Sequence, residues 1–345
     1  MRNVKIGNRV IGEGHSCFIV AEAGANHNRN LDIAKKLIAA ASEAGADAIK
    51  FQVYSAETLY SKNVPQHSNY KKRLWDLIKE IEMPRDWLSV LKEECDRKQI
   101  LFFATPFDFQ AVDELASTGV PCYKVASFEI VDLELVEYIA RKAKPVIIST
   151  GMATMEEIGE AYDVCRRVGN DDACCLPCAS LYPAKAEIMN LRSMKTIRDA
   201  LGVPVGLSDH SERLHIPIAA VAMGAEIIEK HFTLSRKMEG PDHPFALEAH
   251  ELKEMVDKIR DVEKAFGDGK KLGPSQSESE NFQIARRSIH ANAAIPKGAT
   301  ITRDMLIVKR PGLGIKPKFM QSVVGRIALR NIKKDEWITE EMLSR

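Results

Sequence analysis

The chain has 345 residues, of which 45% are hydrophobic and 28% are charged, and these are the values of a folded globular protein. A net charge of +1 provides no basic excess for binding nucleic acid or an anionic membrane surface. No apolar run approaches the roughly 20 residues of a membrane span, and the N-terminus lacks the apolar core of a signal peptide. We therefore expect a cytoplasmic protein with no nucleic-acid or membrane partner.

Short apolar runs alternate with helix-like stretches through most of the chain. Residues 3–12 have the pattern of a hairpin, and eight apolar runs follow it: Cys17–Ala21, Ala48–Val53, Ile100–Ala104, Cys122–Ala126, Val146–Ser149, Ala173–Cys178, Val205–Leu207 and Glu226–Glu229. Helices are predicted over Leu31–Ala44, Arg85–Lys98, Phe109–Ser117, Leu133–Arg141, Met155–Val168, Met189–Ala200, Ile216–Met223 and Glu251–Phe266. Strands alternating with helices predict a parallel sheet covered by helices, and eight such units favour a closed (β/α)8 TIM barrel.

The composition changes after Phe266. Residues 267–281 are polar, contain glycine and proline, and are typical of a linker. Residues 282–345 show short runs separated by turn signals, which indicates a small β-rich domain. The predicted organisation is a barrel with its N-terminal hairpin over residues 1–266, a linker over 267–281 and a second domain over 282–345.

Polar side chains follow all eight predicted strands, at the end of the barrel where active sites of this fold lie. A single lysine at a strand end is more often a solvated surface charge. Here two lysines come with several hydroxyl groups, and ammonium groups with multiple donors suit a phosphate dianion. The set consists of Lys50, Thr105, Lys124, Ser127, Ser149 and Ser208.

Two histidines, His210 and His231, follow the last two predicted strands. Their spacing matches no motif, and most histidine pairs bind no metal. Since both come near Glu22, Asp209 and Glu229, we expect a divalent-ion site, and imidazole with carboxylate suits Mn²⁺ or a similar ion. The seven cysteines include one C-x-x-C, but no second such pair, which favours reduced, buried thiols over a zinc or redox site.

The strand-end segments together resemble the sialic acid synthases. The resemblance covers nearly the whole chain, because the segment Val308–Gly312 is similar to the antifreeze-like (SAF) domain of that family. Leu176-Pro177-Cys178 departs from the family pattern, whereas Tyr182-Pro183 is kept. The segments that carry the resemblance are Ala21–His27, Ile49–Gln52, Tyr123–Ser127, Ser149–Met152, Gly206–His210, Ile228–Thr233 and Glu239–His243.

This resemblance implies condensation of phosphoenolpyruvate with the open-chain aldehyde of an N-acylated hexosamine, N-acetylmannosamine in the first place, giving N-acetylneuraminate and phosphate. It implies that the lysines and hydroxyl residues above bind phosphoenolpyruvate. It further implies that Glu22 and Glu229 are catalytic and that His210 and His231 hold Mn²⁺, with Mg²⁺ or Co²⁺ as alternatives. The implied sugar-side residues are Gln52, Glu129, Tyr182, Asp242 and Arg310, the last acting on the partner active site of a domain-swapped homodimer.

Two alternatives stay open at this point. Within the family, the sugar could be a diacetamido sugar, which gives legionaminic or pseudaminic acid, or the chain could be a spore-coat polysaccharide synthase. The segment Lys62–Lys72, with Asn69 and Tyr70, does not reveal the sugar, and Glu239–His243 leans towards the sialic and legionaminic side. In a different class, the protein would be a non-catalytic carbohydrate-binding protein, but that hypothesis predicts the loss of strand-end groups that are all present.

Overall fold

A computed structural model describes residues 2–65 and 72–345, so Asn69 and Tyr70 lie outside the described residues. The chain divides into two compact units, one up to Phe266 and one from Gly267 to the end. Within the described part of the chain, no helix is long and apolar enough to cross a membrane.

The first unit is the predicted (β/α)8 barrel. An antiparallel hairpin, β1 (Val4–Ile6) and β2 (Arg9–Ile11), contributes Val4, Ile6 and Ile11 to the barrel core. Strand β10 pairs in parallel with both β3 and β9, and this joins the last strands to the first. The barrel strands are β3 (Phe18–Gly24), β4 (Ala48–Val53), β5 (Leu101–Pro106), β6 (Tyr123–Val125), β7 (Val146–Ser149), β8 (Ala173–Leu176), β9 (Leu207–Asp209) and β10 (Ile227–Thr233).

Helices connect the strands close to the predicted bounds. Two short helices between β4 and α4 were not predicted, and α8 begins later than the predicted Met189, because Asn190 has a left-handed φ of 45° that interrupts a helix. The helices are α1 (Leu31–Glu43), α2 (Ala56–Leu59), α3 (Leu74–Ile81), α4 (Trp87–Arg97), α5 (Phe109–Ser117), α6 (Leu133–Ala140), α7 (Met155–Arg167), α8 (Ser193–Leu201), α9 (His215–Ala222) and α10 (Ala249–Ala265), with a two-residue strand β11 (Leu247–Glu248) before α10.

Strands β3 and β10 are longer than predicted. All seven residues of each are buried, although they include the charged side chains of Glu22, Glu229 and Lys230. The sequence pattern predicts that the polar residues at the ends of these strands come after the strands, but they lie within them. They stay in the ladder because each finds an internal partner; Lys230 Nζ, for example, lies 2.6 Å from Asp209 Oδ2.

The second unit is small and has its own core. It contains α11 (Ser279–Ala285), β12 (Ser288–Ala291), β13 (Leu306–Lys309) and α12 (Met320–Val323). Strands β12 and β13 pair antiparallel over a cluster that includes Ile289 and Leu306. Helix α11 begins inside the predicted linker 267–281, because a capping box of Ser275 and Glu278 starts a 3-10 turn that runs into it.

Candidate active site

The alternation of side chains along parallel strands gathers the candidate residues on the inner face of the barrel. His231 on β10 is the register partner of Glu22 on β3, and Glu22 is the partner of Lys50 on β4. Residues two positions apart share a face of the sheet, which adds Glu229 to this group. Asp209 lies on the opposite face, where it binds Lys230, so the expectation that it belongs to the metal group is wrong.

Lys50 is the centre of the cluster and is only 3% exposed. Its Nζ atom lies 2.8 Å from Glu22 Oε2 and 3.7 Å from Glu229 Oε1, and it donates a hydrogen bond of 3.2 Å to Thr105 Oγ1. Burial lowers the pKa of Lys50, but the two carboxylates outweigh it and the net pKa is raised. Lys50 is therefore an ammonium ion held inside the barrel.

A second buried lysine lies across the barrel on β6. Lys124 Nζ donates to Ser149 Oγ at 2.5 Å and to the carbonyl oxygen of Val125 at 2.9 Å. Burial is the largest effect on the pKa of Lys124 and lowers it. An ammonium group beside hydroxyl groups in a closed space provides several donors for one anionic ligand.

We call the group of donors around Lys124, Ser149 and Ser127 the anion cradle. Three residues that were not among the predicted ligands lie beside Ser127 and complete it: Gly151, Cys178 and Ser180. Ser127 Oγ accepts a hydrogen bond of 3.1 Å from the Gly151 amide and lies 2.9 Å from Cys178 Sγ. A Cβ atom on Gly151 would lie 2.3 Å from Ser180 Oγ, so any larger residue here would displace the Ser180 side chain. Ser180 Oγ is buried and has no hydrogen-bond partner among residues 2–65 and 72–345. Ser180 follows the sixth barrel strand, so the rule that polar side chains follow the strands, which identified the other serines, also indicates Ser180. Glycine has no functional group by which the sequence could indicate it.

The segment Leu176-Pro177-Cys178, which departs from the family pattern, still contacts the predicted site residues. Leu176 is buried in β8, and the carbonyl oxygen of Pro177 accepts from the Ser208 amide at 3.1 Å. Cys178 is half-buried beside Ser127, and the other six cysteines are buried; all seven are free, as predicted.

Two carboxylates face the cradle. Glu22 Oε1 accepts a hydrogen bond of 2.7 Å from Gln52 Nε2, and Glu229 Oε1 accepts one of 3.0 Å from Ser208 Oγ. Burial raises the pKa of Glu229, but Lys50 and Lys124 outweigh it, so the net pKa is lowered and the group is ionised. Glu229 Oε2 is buried and accepts no hydrogen bond from any described residue.

The two histidines lie side by side, with ring centroids 5.4 Å apart. His210 Nδ1 donates to the carbonyl oxygen of Ala179 at 2.7 Å, and this tautomer leaves a lone pair on Nε2. Burial and the neighbouring His231 lower the pKa of His210 to about 3, so it is neutral. Burial also lowers the pKa of His231. Asp242, whose Oδ2 lies 3.4 Å from His231 Nδ1, raises this pKa by more than burial lowers it, so the net pKa is raised.

The donor set fits a divalent cation. A neutral imidazole with a free Nε2, a second imidazole and a carboxylate oxygen without a partner are ligands that Mn²⁺ accepts. In this cluster the carboxylates of Glu22, Glu229 and Asp242 also outnumber the ammonium groups of Lys50 and Lys124 by one. The described residues contain no group of three or more His, Cys, Asp and Glu side chains in metal-ligand geometry, so water or substrate oxygens would complete the shell.

The predicted sugar-side residues are distributed over both units of the chain. Gln52 and Asp242 lie beside Glu22, and all three side chains approach Gly24. A Cβ atom on Gly24 would be 3.4 Å from Gln52 Nε2 and 3.1 Å from Asp242 Oδ2. The Tyr182 ring lies 4.3 Å from the His210 ring. Burial raises the pKa of Glu129 to about 7. Arg310 is exposed and directly follows β13 of the second unit.

A parallel (β/α)8 barrel with two buried ammonium groups, paired carboxylates and paired imidazoles at its carboxyl end has the groups that an enzyme of anionic substrates needs. The chain belongs to the NeuB family, whose model matches residues 37–271, and an SAF domain matches residues 286–344. The predicted family and fold class are thereby confirmed.

Several relatives are similar over nearly the whole chain. The N,N'-diacetyllegionaminic acid synthase of Legionella pneumophila is 40% identical over 91% of each chain. The pseudaminic acid synthase of Helicobacter pylori is 38% identical over 95% of this chain and 98% of its own. The crystal structure of N-acetylneuraminic acid (sialic acid) synthetase from Leptospira borgpetersenii, in complex with citrate, has a TM-score of 0.74 and 38% identity, covering 81% of this chain and 95% of that one. These relatives are synthases of nonulosonic acids, which supports an enzyme over a non-catalytic binding protein.

Proposed function

We propose that this protein condenses phosphoenolpyruvate with the open-chain aldehyde of an N-acylated hexosamine, giving a nonulosonic acid and phosphate. The observation that carries the proposal is the position of Lys50, which lies between Glu22 and Glu229 on the inner face of the barrel. Lys124 and Ser149 form a second donor group in the same space. Ammonium groups, hydroxyl groups and carboxylates are thus available to one small substrate.

Phosphoenolpyruvate carries a phosphate and a carboxylate, and the cluster offers cationic and hydroxyl donors for both. Lys124, Ser127, Ser149 and Ser208 would bind one anionic group, together with the unpartnered Ser180 hydroxyl. Lys50 and Thr105 would bind the other. Donors that are already positioned stabilise charge as it develops on the departing phosphate without reorganising.

The reaction forms a bond between C3 of phosphoenolpyruvate and the aldehyde carbon of the sugar, and the aldehyde oxygen takes a proton. Water then adds to C2, and the C2–O bond to phosphate breaks to leave a ketone. We assign to Glu22 the role of holding that water and accepting its proton. The contacts of its Oε1 with Gln52 and of its Oε2 with Lys50 support this role, because they fix the carboxylate. Glu229, ionised and tied to Ser208, helps to neutralise positive charge that develops at C2.

His210 and His231 would hold the divalent ion, Mn²⁺ in our proposal. When bound, such an ion supplies Lewis-acid polarisation of the aldehyde oxygen. The chain's own contribution is to fix the ligands: the Ala179 carbonyl orients the His210 ring and Asp242 lies against His231. The Tyr182 ring, packed on His210, restricts the imidazole further.

The proposal is tested by incubating the protein with phosphoenolpyruvate, Mn²⁺ and N-acylated hexosamines, and by measuring phosphate release and the mass of the sugar product. We expect phosphate release that depends on the sugar. A Lys124→Met variant should lose it, whereas Lys195→Met, on the exposed face of α8, should retain it. Failure of every hexosamine to release phosphate would remove the synthase proposal.

The homodimer is a further part of the proposal. Arg310 lies within residues 286–344, which match the SAF domain, and the role implied by the family resemblance would put this side chain in the active site of a second copy. We propose a homodimer in which each SAF domain supplies Arg310 to the partner, in a cytoplasmic enzyme.

A further inference from the structure

A buried ion pair lies on the outer face of the barrel sheet, beside the two histidines in the chain. Lys230 on β10 and Asp209 on β9 are 1% and 0% exposed, and Lys230 Nζ lies 2.6 Å from Asp209 Oδ2. Such a pair adds little net stability, because taking two charges out of water costs about as much as their attraction returns. The position of the pair suggests a different role.

The pair joins the two strands at the place where their backbone ladder ends. In the parallel ladder of β9 and β10, Ser208 is the register partner of Glu229, and Asp209 is that of Lys230. The first two residues are joined on the inner face, where Ser208 Oγ donates to Glu229 Oε1 at 3.0 Å. The second two are joined on the outer face. The next residue along the chain in each case is one of the two predicted metal ligands.

His210 lies one residue beyond the end of β9, where the ladder no longer fixes its backbone. The Asp209 carboxylate accepts a hydrogen bond of 2.9 Å from the Ser211 amide through Oδ1, and one of 3.0 Å from Ser211 Oγ through Oδ2. A carboxylate that binds the amide two residues further on closes a tight turn. His210 is the middle residue of this turn, and its carbonyl oxygen accepts from the Ala184 amide at 3.0 Å.

Lys230 holds this turn from the neighbouring strand. Its Nζ donates to Asp209 Oδ2 and to the carbonyl oxygen of Ser211, and it lies 3.4 Å from Ser211 Oγ. One ammonium group therefore binds the residue before His210 and the residue after it, while the backbone of Lys230 continues directly into His231. The two imidazoles, whose ring centroids are 5.4 Å apart, are thus connected through a single side chain.

We propose that Lys230 and Asp209 are positioning residues that set the spacing of the two metal-binding histidines, an inference that rests on the metal site of the proposed function. Both side chains lie on the face of the sheet opposite to the imidazoles, so neither touches the ion. Their contribution is to hold His210 against His231 before an ion binds. Groups that orient metal ligands without touching the ion are typically worth about 10-fold to 100-fold in metal affinity.

The test measures the Mn²⁺ affinity of the full-length protein by electron paramagnetic resonance titration, together with the Tm of the ion-free protein. Lys230→Met should weaken Mn²⁺ binding by about 10-fold to 100-fold and lower Tm, because Asp209 is left as a buried charge without its partner. Adding Asp209→Leu removes that charge, so the double variant should recover about half or more of the loss in Tm. Its Mn²⁺ binding should stay about 10-fold or more below that of the wild type, because the turn is still not held.

Glu226→Ala is the matched control. The Glu226 carboxylate also joins these two parts of the chain, but before the strands begin: its Oε2 accepts a hydrogen bond of 2.8 Å from the Val205 amide and lies 3.5 Å from Arg198 Nη2. Glu226 comes five residues before His231, about 16 Å along the strand. This variant should lower Tm and leave the Mn²⁺ affinity within about 2-fold of the wild-type value.

Three results overturn the inference while leaving the metal site of the proposed function intact. They are a Lys230→Met protein that binds Mn²⁺ as tightly as the wild type, a double variant that recovers the affinity together with Tm, and an equal loss of affinity in Glu226→Ala. The last two would show that the affinity follows stability and not the placement of the histidines. A wild-type protein that binds no Mn²⁺ is a separate result, since it removes the metal site from the proposed function and the inference with it.

Discussion

Replacing Lys50 with methionine tests the electrostatic arrangement of the site directly. The change leaves Glu22, which is 1% exposed, without the cation that lies 2.8 Å from its Oε2. Removing one partner of a buried ion pair costs about 3–5 kcal/mol at neutral pH. In a domain of this size each 1 kcal/mol lowers Tm by about 2 °C, so we expect Lys50→Met to lower the Tm of the barrel by roughly 6–10 °C at pH 7.

The pH dependence of this loss has a defined sign. In the wild type, Glu229 has a lowered pKa, so it contributes stability above its unfolded pKa of about 4.3 and loses it as the pH falls. In the variant, Lys50 no longer lowers the pKa of Glu229, so this contribution to stability is reduced. The difference in Tm between wild type and variant should therefore shrink from pH 7 to pH 4, as the pH falls below the unfolded pKa.

Thermal unfolding followed by circular dichroism at both pH values measures this difference. Lys195→Met is the control, because Lys195 is 78% exposed in its pair with Asp199 and should change Tm by less than about 2 °C. Adding Glu22→Gln to Lys50→Met removes the buried carboxylate charge that has lost its partner, and should recover part of the loss in Tm. A Lys50→Met protein as stable as the control at pH 7, or one destabilised more at pH 4 than at pH 7, would refute the reasoning.

Three further predictions concern the metal, the anion cradle and the dimer. His210→Ala should weaken Mn²⁺ binding by about 100-fold in electron paramagnetic resonance titrations, and an unchanged affinity would exclude this histidine as a ligand. Gly151→Ala should weaken phosphoenolpyruvate binding in calorimetry by at least about 10-fold, because the new Cβ would lie 2.3 Å from a serine hydroxyl, whereas Gly159→Ala in open space should leave binding unchanged and stabilise α7 by about 1 kcal/mol. Mixing inactive Glu22→Gln and Arg310→Ala proteins should restore about a quarter of wild-type activity if the arginine acts on the partner's site, and no recovery would contradict a swapped dimer.

The barrel could be predicted from the sequence because each of the eight strand–helix units has its own local signals. Short apolar runs, helix caps such as Thr154 with Glu157, and glycines after helices all indicate the same alternation. The strand-end rule then located the lysines, the hydroxyl groups and both histidines. The short helices α2 and α3 escaped prediction because α2 has only four residues and α3 has no fully buried one.

The remaining differences arise where tertiary contacts decide. Polar residues within buried strands, such as Glu22 and His231, ended the predicted strands too early, because their partners are distant in sequence. Asp209 was assigned to the wrong face, since a one-residue error reverses the side of a strand, and only the pairing with Lys230 shows which side it occupies. Gly151 was missed as a site residue because its contribution is the absence of a side chain.

Phosphoenolpyruvate labelled with ¹⁸O in the bridge between C2 and phosphorus tests the central proposal most directly. The labelled compound is incubated with the protein, Mn²⁺ and an N-acylated hexosamine, and the masses of phosphate and of the sugar product are measured. Our account predicts a product that has gained the three carbons of phosphoenolpyruvate, with the label in the phosphate, because the C2–O bond breaks. Label in pyruvate, with an unchanged sugar, would show hydrolysis without condensation and would contradict the account.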